Sequence, residues 1–156
     1  MQNHESKGLT NNNCNTKSKI QKYYLDTCIW RDYFEDRTDK FRPLGEWAFR
    51  CIQRLIAENA VIIISDLVNK ELSKDYSMQE IEDMLSICTD EILMTIELTE
   101  KQTIEARSVS RGANIPLHDA MHAIMARDAN AILVTRDKHF IEIPFKVDIK
   151  KPEELI

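Results

Sequence analysis

Apolar positions along the chain fall into two alternating patterns. The first is a short unbroken run: "KYYLD" (22–26), "VIIIS" (61–65), "EILMTIEL" (91–98), "AILVT" (131–135) and a last, weaker "FKVDI" (145–149). Continuous β-branched runs of this kind mark strands buried on both faces. The second pattern repeats every three to four residues, as an amphipathic helix requires. It covers "TCIWRDYFEDR", where Ile29, Tyr33 and Phe34 form the stripe, and "GEWAFRCIQRLIAENA", with Trp47, Ile52, Leu55 and Ile56 on one side. It returns in "DLVNKELSKDY", "SMQEIEDMLSICTD", "TEKQTIEARSVSRGANI" and "PLHDAMHAIMARDAN".

Helix starts are written in the residue types. Ser65, Ser77 and Thr99 stand where a hydroxyl can accept a backbone N–H, and Glu80 follows Ser77 at capping-box spacing. Pro116 opens the last long helix, where its missing N–H costs nothing. The helix begun at Thr99 is expected to stop near Gly112. Strands and helices alternate with no Asn-Gly hairpin signal, and the chain holds only three glycines. Alternation requires crossover helices, so the expectation is an α/β fold: three layers, α/β/α, around a mostly parallel central sheet.

Composition narrows this only a little. The 156 residues suit one domain, 43% hydrophobic and 30% charged, with a formal net charge of −5. No bulk basic charge is present to grip nucleic acid, although a local patch could still do so. Residues 1–19 are polar, asparagine-rich and aperiodic and read as a disordered tail, leaving 20–156 as the folded domain. Lys17, Lys19 and Lys22 make a small basic cluster at its end. The cysteines, Cys14, Cys28, Cys51 and Cys88, have no zinc spacing and read as free thiols in a reducing compartment. There is no signal-peptide pattern and no membrane-length apolar run, which points to the cytoplasm.

Candidate chemistry lies where strands end, because ligands of open parallel sheets bind outside the carboxyl ends. Asp26 ends the first strand, and Asp137 follows "AILVT". Asp119 lies in the first turn of the helix after Pro116, and Glu71 lies on the helix leaving "VIIIS". Each has a plain reading of its own: Asp26 as a helix cap, Asp119 as a dipole complement, Asp137 as the cap of the "KHF" turn, Glu71 as a solvated side chain. Together they put four carboxylates on one edge with no evident basic partner. Clustered carboxylates repel unless a cation joins them, and hard divalent ions such as Mg²⁺ or Mn²⁺ prefer oxygen ligands. Replacing Asp26 by Asn should then raise metal-free stability. No glycine-rich phosphate loop and no G-x-S-x-G elbow is present.

With "YLDTCIW", "SDLVNKEL" and "PLHDAMHAIMARDANAILVTRDKHF" in this order, the chain resembles the PIN domain, and most the VapC-type toxin ribonucleases, over about residues 22–149. The resemblance implies a Mg²⁺- or Mn²⁺-dependent endoribonuclease that hydrolyses RNA phosphodiesters. Asp26, Glu71, Asp119 and Asp137 match the family's acidic metal-site positions, with Asp26 and Asp119 expected as direct ligands. Thr27 follows the first acid as a small hydroxyl residue, and Thr135 belongs to the T-x-D step. The resemblance further implies an antitoxin protein as partner and a homodimer. Cys28 departs from the family's more polar residue there. His122, three residues after Asp119, could touch a phosphate or a metal-bound water or could simply pack. Arg136 could neutralise substrate phosphate or lie in solvent. Two other readings remain open: a non-catalytic PIN-like module that binds RNA or protein, and an RNA-processing nuclease without an antitoxin.

Overall fold

The β-branched run Val61–Ser65 forms β2, and its inner positions are fully buried. It is one of five strands, with β1 (Lys22–Leu25), β3 (Leu93–Ile96), β4 (Ile132–Val134) and β5 (Ile149–Lys150). All pair in parallel, in the order β3-β2-β1-β4-β5. The computed structural model describes residues 20–156, so the tail expected at 1–19 lies outside the described residues.

Between the strands run α1 (Thr27–Phe34), α2 (Leu44–Ala57), α3 (Asp66–Leu72), α4 (Met78–Leu85), α5 (Glu100–Ala113) and α6 (Leu117–Asp128). The caps fall where the hydroxyls stand: Ser65 accepts from Val68 N, and Ser77 and Thr99 build full capping boxes with Glu80 and Gln102. α1 packs on α2 and α5 on α6. The pleat sends neighbouring side chains to opposite layers. Tyr24 reaches Met125 of α6, 3.9 Å from its sulfur, while the Tyr23 phenol feels Glu58 and Arg54 at the end of α2. Ile62, Ile63, Leu133, Val134 and Trp30 fill the interior with no exposed surface. Each such aliphatic side chain contributes about 1.5–3 kcal/mol by leaving water.

Two expectations change. α5 runs through Gly112 and ends at Asn114, which takes the left-handed conformation at φ 53°. Asn59 and Asn130 do the same after α2 and α6, so asparagine supplies the turns that glycine usually makes. Gly45 is needed for a different reason: a Cβ there would meet the Asp36 backbone at 2.5 Å. The last strand is not residues 145–149 but Ile149–Lys150, because only these pair with β4.

The connectivity matters for function. From β1 the chain moves outward through β2 and β3, then returns to the other side of β1 with β4 and β5. The direction of winding therefore reverses beside β1, the position where the carboxyl ends of neighbouring strands leave a crevice. Among the described residues no helix is long and apolar enough to cross a membrane.

Candidate active site

The crevice beside β1 is a cleft of about 290 Å³, and Asp26, Glu71, Asp119 and Asp137 all line it. Asp26 is held there by its backbone, whose N–H donates to Val134 O of β4 at 3.0 Å. Its side chain caps α1, accepting from Thr27 N at 2.7 Å. The same carboxylate accepts from Thr135 Oγ1 at 2.7 Å and weakly from Cys28 Sγ at 3.4 Å. Thr135 Oγ1 in turn accepts from Asp137 N at 3.1 Å, so one hydroxyl ties the ends of β1 and β4 together. Asp137 caps the 3₁₀ turn Lys138–Glu142 through His139 N. The capping roles of Asp26 and Asp137 are thus real and coexist with their place in the cleft.

Glu71 is brought in by α3. Its Oε2 accepts from Thr27 Oγ1 and lies 3.1 Å from His122 Nε2, and its Oε1 lies 2.8 Å from His118 Nδ1. Asp119, in the first turn of α6, lies 3.1 Å from His139 Nδ1. His139 also approaches Asp137 at 3.0 Å. Every histidine among the described residues therefore touches an acid of the cleft, which corrects the expectation of acids without basic partners. His118 and His139 are partners that the motifs do not point to. The available signal was positional: His118 precedes Asp119 and His139 follows Asp137 by two.

These contacts set the charge of each carboxyl. For Glu71, burial alone would raise the pKa, but the bond and charge of His122, then bonds from Thr27 and His118, reverse this and hold it at about 2. For Asp119, burial raises the pKa, the charges of Asp137 and Asp26 raise it further, and His139 and His122 only partly oppose them. Burial favours neutral His122, yet the bond to Glu71 and the charges of Asp26, Glu71 and Asp119 leave its pKa above the ordinary value. Burial pushes the Cys28 thiol far up, so it stays protonated and packs as a small side chain.

Like-charge repulsion acts on Asp119, whose pKa the charges of Asp137 and Asp26 raise. Asp26 accepts three bonds, and an amide there would set its own N–H groups against donors. Arg136 also changes place. It does not line the cleft; it donates to Asp32 at 2.8 Å and Glu153 at 2.7 Å and lies over the Trp47 ring. The cations that do line the cleft are Arg31, Arg37 and Lys74. Arg31 lies four residues after Thr27, hence on the same helix face.

Two groups of side chains present ligand atoms within 4.8 Å of one another: Asp26, Glu71 and His122, and Asp119, Asp137 and His139. A donor set dominated by carboxylate oxygens fits a hard divalent cation. The surplus of negative charge at Asp119 is what such a cation would relieve.

A family model described as PIN domain matches residues 23–146. Among solved structures, the chain is similar to one from VapBC2 of Rickettsia felis bound to a DNA fragment of its promoter. That match has 24% identity and a TM-score of 0.62, covering 84% of this chain and 98% of that one. It is also similar to one from VapBC-1 of nontypeable Haemophilus influenzae (18%, TM-score 0.60, 85% and 98%). A third is from a toxin–antitoxin complex of Klebsiella pneumoniae (23%, TM-score 0.56, 83% and 97%). These likenesses concern the fold. No curated protein sequence matches.

Proposed function

The chain belongs to the PIN-domain family, and from that membership we propose that it is a Mg²⁺- or Mn²⁺-dependent endoribonuclease. The observation that carries the reading is the convergence of Asp26, Glu71, Asp119 and Asp137, from four separate segments, on one cleft at the carboxyl edge of the sheet. Asp26 and Asp119 are assigned as direct cation ligands, with Glu71 and Asp137 ligating directly or through water. A bound divalent ion there supplies a water of lowered pKa and offsets charge on the phosphate.

The protein's own residues prepare that chemistry. Thr27 N and Thr135 hold the Asp26 carboxylate in one orientation. His122, Thr27 and His118 keep Glu71 ionised. Asp119 must be deprotonated to ligate, and a cation would offset the charges of Asp137 and Asp26 that raise its pKa. In this reading Arg31, Arg37 and Lys74 on the cleft wall would meet RNA phosphates, Arg31 and Arg37 exchanging their partners Asp75 and Glu35 for them.

We extend the reading to a toxin with an antitoxin protein as partner, because one solved structure of this fold is described as a toxin–antitoxin complex. A basic antitoxin segment would complement the acidic cleft.

The test is cleavage of a mixed structured RNA with Mn²⁺, comparing the wild type with Asp119→Asn at matched purity. Metal-dependent cleavage by the wild type alone supports the reading. A wild type that neither cleaves nor binds metal supports a non-catalytic binding module instead. Chelation should stop cleavage while leaving cooperative unfolding intact, because the buried core does not depend on the cleft. A chain that unfolds outright in chelator would contradict this.

A further inference from the structure

The distance between His122 Nε2 and Glu71 Oε2, 3.1 Å, fits two descriptions. It is a hydrogen bond, or it is the separation of two ligands around one cation, since each would sit roughly 2.0–2.2 Å from the ion. In the first case the imidazole orients an acid. In the second it is itself a ligand and gives the site a nitrogen donor. The choice depends on which ring nitrogen carries hydrogen, and that is decided on the far side of the ring.

His122 Nδ1 lies 2.7 Å from Tyr24 Oη, and Tyr24 Oη lies 2.6 Å from Ser65 Oγ. All three residues are buried. Ser65 Oγ accepts the N–H of Val68 at 3.1 Å, because Ser65 is the cap of α3. Among the described residues, the only acceptor within reach of the Ser65 hydroxyl proton is Tyr24 Oη. If Ser65 donates to Tyr24, the phenol proton is free to point at His122 Nδ1. Nδ1 is then the acceptor, and the hydrogen of the neutral ring sits on Nε2, facing Glu71. The hydrogen bonds run in one direction: Val68 N–H to Ser65, Ser65 to Tyr24, Tyr24 to His122, His122 to Glu71.

The opposite direction fails at one end. If Nδ1 carried the only ring hydrogen it would donate to Tyr24, and Tyr24 would donate to Ser65. The Ser65 hydroxyl proton would then be buried with no acceptor. Met125 Sδ, 3.9 Å from Tyr24 Oη, is too weak an acceptor to redirect the phenol. A bare Nε2 would also face Glu71 Oε2, which already accepts from Thr27 Oγ1. A doubly protonated ring still donates from Nε2.

We infer that His122 is a positioning residue, its Nε2–H held on Glu71 by the Ser65–Tyr24 chain, and that it is not a cation ligand. The cap of α3 and the orientation of the acid on α3 are then one device. The hydroxyl that starts the helix also sets the tautomer that holds Glu71, six residues along. The group of Asp26, Glu71 and His122 then offers only carboxylate oxygens, so it favours oxygen-preferring cations over zinc. The consequence for catalysis rests on the nuclease reading above; the position of the hydrogen does not.

The first measurement is the protonation of His122 by two-bond ¹H–¹⁵N correlation spectra of the full chain, with and without Mg²⁺, at a pH above the ring's titration. Hydrogen on Nε2 in both samples supports the inference. A bare or metal-bound Nε2 in either overturns it. The spectrum decides even if the protein binds no metal, an outcome that would count against the nuclease reading alone.

Calorimetry with Mg²⁺ and Zn²⁺ gives a second readout. His122→Leu should weaken Mg²⁺ binding about 10- to 100-fold, as loss of an orienting hydrogen bond does. His122→Gln, which restores an N–H toward Glu71, should recover most of it with the Zn²⁺-to-Mg²⁺ affinity ratio unchanged. A selective loss of Zn²⁺ affinity in the Gln variant would show that the ring ligates.

Discussion

Glu71 and Asp119 stand across one cleft, and the side chain of each is 16% exposed. Their acidities nonetheless move in opposite directions, down for Glu71 and up for Asp119. Burial is common to both and pushes both up. The difference is in donors: Glu71 has Thr27, His118 and the buried His122, while Asp119 has one exposed histidine and two like charges nearby. Desolvation therefore does not decide whether a buried carboxylate is charged; the hydrogens pointed at it do. Glu71 is satisfied without a cation, and Asp119 is the acid left wanting one.

The strongest test of this contrast is activity. Asp119→Asn should lower metal-dependent RNA cleavage by at least about 100-fold, close to 3 kcal/mol of transition-state stabilisation. Single-turnover kinetics at saturating Mn²⁺ measure it, and an active Asn variant would remove Asp119 from the machinery.

Next is the pH dependence of metal-free stability. The depressed pKa of Glu71 contributes stability that is present above the ordinary glutamate range and is lost as pH falls toward about 2. Glu71→Gln should therefore cost on the order of 2–3 kcal/mol at neutral pH, with the difference from wild type shrinking through that acid window. Denaturant titrations across pH would show it, and a pH-independent cost would mean Glu71 acts through packing.

A smaller effect should follow from removing one donor. Thr27→Val should cost about 1 kcal/mol and move the Glu71 titration, followed by NMR, back toward the ordinary range.

The smallest effect has the opposite sign. A raised carboxyl opposes folding once ionised, so the penalty of Asp119 grows as pH rises through its folded pKa and is absent below the ordinary aspartate range. Asp119→Asn should raise metal-free stability at neutral pH by roughly 1 kcal/mol or less, and the gain should vanish on acidification. Equal or lower neutral-pH stability would mean that like-charge repulsion is not felt there.

Local signals were sufficient for most of the architecture. β2, the capping boxes at Ser77 and Thr99 and the position of each acid at or after a strand end could be read from neighbours a few residues apart. Where a local rule had two acceptable answers, it misled: Gly112 and Asn114 both suit a helix end, and only Asn114 takes the left-handed turn. "FKVDI" has strand composition, yet a strand exists only where a neighbour pairs with it.

What the amino-acid order determined by itself was therefore the alternation of strands and helices, their starts, and the four acids as one set. Only the tertiary structure decided how those acids are held. His122 reaches Glu71 across 51 residues, His118 across 47, and Arg136 turns to Asp32 across 104. The physical reason is range. Helix caps and strand runs depend on neighbours along the chain, whereas the charge of a buried carboxyl depends on which donors lie within about 3 Å of it, and folding chooses those.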